Sequence, residues 1–439
     1  MEAVAATRSP ARAGPQLPGV AVPGPPTKRP LRIAMLAPPW IPVPPPGYGG
    51  VESVVGVLTE ALVRRGHEVT LFCAPGSESS ARVVELLGIS HPDEIERSLY
   101  EADHVARAFE RIESADREDR FDLVHDHCGF TALAMADRLR TPLVHTLHGP
   151  FTAATGAFYA RHGHKASLVG ISQAQLDDAP AGLRTLAVIP NPIATREWPL
   201  REKKDDFLLW VGRMTPGKGP HRAIDVARLA DRPLILAGIV QPGQQAFFDQ
   251  EVAPHIDGER VRFAGEIGGA RKRSLFSRAS GLLMPIRWQE PFGMVMVEAL
   301  ACGTPVIAFE EGAAPELIVD GRTGFLVEDE AAMAAAVPRL ADIRPRDCRG
   351  WVVDHCDVDA VAVAGAGAGA YERARSGRHA PRCRPAVVHG AVRPRQPDHQ
   401  PADASLRAGA GGDHASRPRR PPGRRARRLP RNGARQDPP

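Results

Sequence analysis

Two carboxylates, Glu290 and Glu298, stand in the stretch 288–309, WQEPFGMVMVEALACGTPVIAF. Glu290 is flanked by Pro291 and Gly293. Glu298 is the one charge in an apolar run that ends where Cys302, Gly303 and Pro305 turn the chain into a buried-looking strand over 305–309. An unpaired carboxylate among Met, Val, Leu and Ala costs several kcal/mol, so Glu298 needs a partner or a cleft. A helix beginning near Phe292 would set the two Glu about two turns apart, roughly 12 Å along its axis. Around the axis they would differ by about 80°, so both can look into one cleft. That separation is too long for a shared proton and suits the two ends of an extended polar ligand. A blander arrangement also fits: one Glu favoured by the helix dipole, the other bonded to nearby backbone. The pair alone leaves both readings open.

A second stretch, 211–219, reads VGRMTPGKG and joins a predicted strand to a predicted helix. Arg213 and Lys218 there stand beside free N-terminal amides, a natural place for a diphosphate; surface charges at a helix start are the alternative. Gly212, Gly217 and Lys218 also match the G-x4-G-K spacing of a P-loop. Gly219 stands where the magnesium-binding Ser or Thr should be, and Pro216 removes a phosphate-cradling amide, which argues against a nucleoside triphosphatase. Residues 47–50, GYGG, with Glu52 form a Gly-rich strand-to-helix loop without G-x-G-x-x-G, so a dinucleotide fingerprint is not supported. A plain tight turn fits there too. His125, His127, His145 and His148 gather at two predicted strand ends, and H-x-x-H superficially suggests zinc. No Cys pair, H-E-x-x-H or carboxylate partner completes a set, so no metal is expected. Asp357-Val-Asp359 has the D-x-D form but lies where the composition begins to change.

The E-x7-E spacing of Glu290 and Glu298, followed by Ala-Leu-Ala-Cys-Gly-Thr-Pro-Val and preceded by G-R-x4-K-G at 212–219, resembles the motifs of retaining GT-B glycosyltransferases of family 4 (group 1 type). The resemblance covers residues 31 to about 345. It implies that Glu290 lies beside the donor sugar and that Glu298 binds the nucleotide ribose diol. It implies that Arg213 and Lys218, with helix-start amides around Phe292, Gly293 and Met294, stabilise the departing diphosphate. Gly49 and Gly50 would approach the donor across the cleft, and His127 would stand near the reacting sugar and acceptor. Glu290 and His127 are therefore the candidate catalytic residues. The loop 310–316, EEGAAPE, occupies the place of the family's Gly-Gly-x-x-Glu, with Glu311 replacing the first Gly. The resemblance further implies a metal-independent transfer with no cofactor beyond a nucleotide-diphosphate sugar as co-substrate. The acceptor would be a glycan, a lipid or a small molecule, and base contacts would lie around 262–267.

The elements needed to position these residues can be read along the chain. Short apolar runs at 31–37, 68–74, 121–126, 142–147, 167–171 and 188–193 alternate with helix-length segments, including two polar helical stretches that run to about 115. The rhythm restarts after the charged segment 201–206, with runs at 207–212, 233–238, 260–265, 281–285, 305–309 and 324–327. Such alternation argues for parallel sheets covered on both faces. The expected fold is α/β, two Rossmann-like domains facing across a cleft, the usual place for a ligand at strand C-terminal ends. The boundaries read as a Pro-rich leader at 1–30, an acceptor domain at 31–195, a nucleotide-sugar donor domain at 196–358, and an Arg/Pro/Gly/Ala tail at 359–439.

At 439 residues and 43% hydrophobic, the chain has material for two cores. Its net charge of +5 is carried by the tail: from Tyr371 onward 17 Arg face 5 acids, a net +12, leaving −7 (+5 less +12) for the rest. The leader, which lacks an apolar h-region, reads as a disordered extension or an early start codon. The tail has no Lys, Ile, Phe or Met, cannot build a core, and reads as disordered or out of frame. Six scattered Cys without a C-x-x-C pair fit reduced thiols and a cytoplasmic location. No apolar run nears the ~20 residues of a membrane span, and peripheral membrane contact is left open. Two other function classes compete with the enzyme: an inactive GT-B nucleotide-sugar-binding module with a damaged C-terminus, and a binder of nucleic acid or anionic surfaces through the Arg-rich tail. No nucleic-acid partner is expected under the favoured reading.

Overall fold

The computed structural model describes residues 30–95, 98–115 and 120–362, all within one compact unit. Seven strands form the first sheet: β1 (Arg32–Leu36), β2 (Glu68–Cys73), β3 (Arg82–Glu85), β4 (Leu123–Asp126), β5 (Leu143–Thr146), β6 (Ser167–Gly170) and β7 (Thr185–Val188), in the order β3-β2-β1-β4-β5-β6-β7. Six more form the second: β8 (Leu208–Val211), β9 (Leu234–Ala237), β10 (Val261–Phe263), β11 (Gly281–Met284), β12 (Val306–Phe309) and β13 (Gly324–Val327), in the order β10-β9-β8-β11-β12-β13. Every pairing is parallel. Both orders reverse direction beside their first strand, β1 or β8. At such a switch point, loops leaving strand C-termini open a crevice.

Side-chain alternation explains why these strands are apolar throughout. In β1, Ile33 and Met35 pack with Val55, Leu58 and Leu62 of helix Gly50–Arg64. Ala34 and Leu36 face the other way, onto Val105, Ala108, Phe109 and Ile112 of helix Ser98–Glu113. A strand covered on both faces keeps no polar side.

Two expectations need correction, the pair of polar helices before residue 115 and the start of the tail at 359. The region before residue 115 holds β3 and one long helix, not two polar helices. Strand β3 has a single neighbour and exposed charged ends, so its sequence carries no buried alternating pattern. The charged segment 201–206 is pinned to the second half: Lys204 Nζ donates to Ser277 O, Cys302 O and Thr304 Oγ1 at 2.8–2.9 Å, and Asp205 pairs with Arg278 at 2.6 Å. At the C-terminal end, the chain leaves helix Pro345–His355 and returns to the first sheet's half. Val358 and Ala362 pack there on Ala61 and Ala194, and Arg65 Nη2 donates to Asp359 O at 2.9 Å. Residues 359–362 thus belong to the folded body; the rest of the tail and residues 1–29 of the leader lie outside the described residues. Asp357 and Asp359 act structurally. Asp357 accepts from Thr195 and from the Asp359 amide, and Asp359 pairs with Arg64 and Arg65. No helix among the described residues is long and apolar enough to cross a membrane.

Candidate active site

Strand β8 delivers Gly212 and Arg213 to the cleft, and the turn to helix Pro220–Leu229 delivers Lys218. Lys218 Nζ pairs with Glu290 Oε2 and lies 4.6 Å from the Trp288 ring centroid. The indole N–H of Trp288 donates to the same oxygen at 3.1 Å. Glu290 is thus held by a cation and a donor before any ligand arrives. Its backbone is clamped as well, with Ala313 N donating to Glu290 O at 3.0 Å. Gly312, at φ 53°, lies so close that a Cβ there would stand 2.5 Å from Glu290 N and O, so the loop 310–316 tolerates only glycine at that place.

Helix Met294–Ala301 begins two residues later than the spacing predicts. Gly293 is its N-cap, in a left-handed conformation at φ 92° that an L side chain resists. Glu290 therefore sits in the loop ahead of the helix, so the expected stacking of both Glu along one helix does not apply. Both nonetheless line one cavity. Glu298 is 4% exposed, and its Oε1 accepts from Lys272 Nζ at 2.6 Å. Its Oε2 is buried with no partner among the described residues. Burial raises its pKa, opposed by the Lys272 charge and hydrogen bond.

The same cavity is lined by Gly49, Gly50, Arg213, Lys218, Phe292, Gly293 and Met294, so every expected donor-binding residue meets Glu290 and Glu298 there. The cavity is open to solvent at its mouth and is lined from both halves, the setting of a cleft that takes an extended ligand. The region expected to touch a base contributes Glu266 and Ile267, opposite Gly238 and Ile239. The cations Arg213, Lys218 and Lys272 all come from the second half.

His127 is placed differently. It is 3% exposed and stands behind the wall, with Nδ1 2.9 Å from Nε2 of His148, which lines the cavity. Burial first, then neighbouring imidazoles, lowers the pKa of His125 and His148 to about 3 and that of His127 well below its ordinary value, so these rings are neutral. His145 is engaged elsewhere: its Nδ1 is 2.5 Å from Asp126 Oδ2 and its Nε2 3.3 Å from the Tyr159 hydroxyl. Among the described residues no group of three or more His, Cys, Asp or Glu is arranged as metal ligands.

Sequence reasoning missed Lys272 and Trp288, and it named His148 only within the histidine cluster, giving the place at the cleft to His127. Lys272 was hidden in Arg271-Lys272-Arg273, which reads as a solvated face; the lone charge of Glu298 was the signal that a cation was needed. Two ties across the cleft were also missed. Glu266 Oε1 accepts from Tyr48 N at 2.7 Å, and Ser172 Oγ donates to Pro291 O at 2.6 Å.

Known proteins resemble this chain over most of its length. The family model described as Glycosyltransferase Family 4 matches residues 48–197, and that described as Glycosyl transferases group 1 matches 194–346, so together they tile both halves. A glycogen synthase of Mycobacterium tuberculosis is 28% identical over 419 residues, spanning 82% of this chain and 99% of its own. A D-inositol 3-phosphate glycosyltransferase of Streptomyces scabiei is 28% identical over 381 residues, spanning 72% of this chain and 84% of its own. AviGT4, a glycosyltransferase involved in avilamycin A biosynthesis, aligns at a TM-score of 0.62 and 26% identity over 79% of this chain and 99% of AviGT4. Anabaena HepE, solved with UDP-glucose, shares the fold at a TM-score of 0.55 and 21% identity, over 75% of this chain and 97% of HepE. The two family models, matched one after the other across both halves, place this chain in the GT-B group 1 glycosyltransferases, to which it belongs.

Proposed function

We propose that the cleft binds a nucleotide-diphosphate sugar and passes the sugar, with retention and without metal, to an acceptor hydroxyl entering along the first half. One observation carries this reading: Arg213, Lys218, the start of helix Met294–Ala301, Glu290 and Glu298 line a single cavity. Fixed cations and amides aimed at one place stabilise charge that builds on a departing diphosphate. Arriving phosphates compete with Glu290 for Lys218, leaving the Glu290 carboxylate free to turn to the sugar and the positive anomeric centre. The buried Oε2 of Glu298 is suited to accept from a ribose hydroxyl while Lys272 holds Oε1. Same-face attack guided by the leaving phosphate is the proposed route to retention, with Glu290 stabilising charge at the anomeric centre rather than forming a bond to it. The glycogen synthase and the inositol phosphate enzyme indicate hydroxylated acceptors, and HepE indicates a UDP-sugar as the first donor to try.

The test is thermal stabilisation of the purified protein by UDP-, ADP- and GDP-sugars in the presence of EDTA. A shift with one nucleotide, lost in Arg213→Ala and Glu298→Ala, is the expected result. A cooperative melt unmoved by every donor sinks the reading. The anomeric configuration of the product, read by NMR, decides retention.

A further inference from the structure

Resting on the donor reading above, we propose that His127 is a positioning residue. It fixes the tautomer of His148 so that His148 presents an Nδ1–H donor to a hydroxyl of the bound sugar.

Strands β4 and β5 run side by side, with Val124, His125 and Asp126 paired to Leu143, Val144 and His145. Their C-terminal ends therefore release His127 and His148 next to each other at the cleft wall. A backbone bond from His127 N to Leu36 O, 3.0 Å, anchors the first of these ends. The Nδ1 of His127 and the Nε2 of His148 are 2.9 Å apart, so one proton lies between two neutral rings. Two assignments are open: His127 donates, or His148 donates.

The second nitrogen of His127 separates them. Nε2 of His127 is buried and no described residue partners it. The adjacent polar groups are committed to one another: His125 Nε2 to Thr146 Oγ1 at 2.9 Å, and His145 to Asp126 and Tyr159. If His148 donated, the proton of neutral His127 would sit on Nε2, a buried N–H without a protein acceptor, which is the rarer and costlier fault. If His127 donates from Nδ1, its Nε2 keeps only a lone pair. His148 then accepts at Nε2 and carries its own proton on Nδ1. With Nε2 turned inward, Nδ1 is the nitrogen His148 has left for the cavity it lines. A donor at that place selects a sugar oxygen, and the selection is made by a residue that never touches the sugar.

The experiment uses the full chain labelled with 15N-histidine, with long-range 1H–15N correlations assigned by comparison with His148→Gln. Wild-type His148 is expected as the neutral Nδ1–H tautomer; a proton on Nε2 overturns the proposal. Kinetics supply the second arm. His127→Leu is expected to raise the KM for the nucleotide sugar about tenfold, equal to one hydrogen bond of ~1.4 kcal/mol, while the nucleotide diphosphate binds as in wild type. His127→Asn, which offers an N–H near the place of Nδ1, is expected to lose less than His127→Leu. His127→Asp, which offers only an acceptor, moves the His148 proton to Nε2. Equal KM in the Leu variant and wild type overturns the proposal even if the tautomer is as stated. A wild-type protein that binds no nucleotide sugar instead defeats the donor reading, and the tautomer measurement still stands by itself.

Discussion

Glu316 of the second half caps a helix of the first: its Oε1 accepts from Ala174 N at 2.6 Å and its Oε2 from Gln173 N at 3.0 Å. The carboxylate is 6% exposed, and burial raises its pKa while the two amides pull it down. With Ser172 Oγ on Pro291 O and Glu266 on Tyr48 N, these contacts tie the halves together on the two sides of the site. Pro291 adjoins Glu290, so the position of the first half is coupled to that of the Glu290 carboxylate. Each charged hydrogen bond of this kind contributes ~1.5–3 kcal/mol. Glu316→Ala is expected to loosen the closed arrangement, seen as a larger radius of gyration in small-angle scattering with a lower kcat. An unchanged radius would mean that the sheets are held by other contacts.

The pairing of Glu298 with Lys272 predicts losses in both stability and binding. Glu298→Gln leaves the largely buried Lys272 without its counter-charge in the unliganded protein. Its Tm should fall, and nucleotide affinity should fall at least about tenfold, the loss of one or two charge-assisted hydrogen bonds. Scanning calorimetry measures the first, and calorimetric titration with the nucleotide diphosphate the second. Undiminished affinity would move the ribose away from Glu298.

Glu290 should separate chemistry from binding. Glu290→Ala frees Lys218 for phosphate and removes the carboxylate proposed to face the anomeric carbon. Transfer is expected to fall by about 10²-fold or more, with nucleotide affinity equal to or tighter than wild type. Parallel loss of both in the same preparation would argue against this division of roles.

Glu52, in the first turn of helix Gly50–Arg64, sets a pH dependence. Burial pushes its pKa up from 4.5 to about 7, with its own amide opposing. Between those values the unfolded chain gives up a proton that the folded protein keeps. The folded state therefore binds more protons, and stability falls as pH rises through the window, by on the order of 3 kcal/mol when complete. Glu52→Gln should remove this slope, giving a higher Tm than wild type at pH 8 and a similar one at pH 4.5. Parallel Tm curves across the window would show that Glu52 is not the group responsible.

The order of strands and helices was legible because a strand covered on both faces must be apolar, and a run of four to seven such residues stands out in any context. Eleven of the strands fell on such runs, and β7 (Thr185–Val188) met the expected run 188–193 only at Val188. β3 did not, because an edge strand with exposed ends carries no such run. The residues of the cleft floor were legible through local chemistry: Arg213 and Lys218 at a helix start, and Glu290 and Glu298 in an apolar stretch. Helix onset was not, since it turned on a left-handed Gly293.

By itself, then, the sequence determined the two-sheet α/β architecture and the grouping of Arg213, Lys218, Glu290 and Glu298 at one cleft, because both follow from neighbours in the chain. Tertiary structure alone decided that Lys272 answers Glu298, that His148 faces the cleft with His127 behind it, and that Glu316 reaches the other half. These partners are 26, 21 and 142 residues apart. Where a side chain points at the end of a strand depends on loop backbone angles and on what packs behind it, and neither is encoded in the periodicity of the segment that carries it.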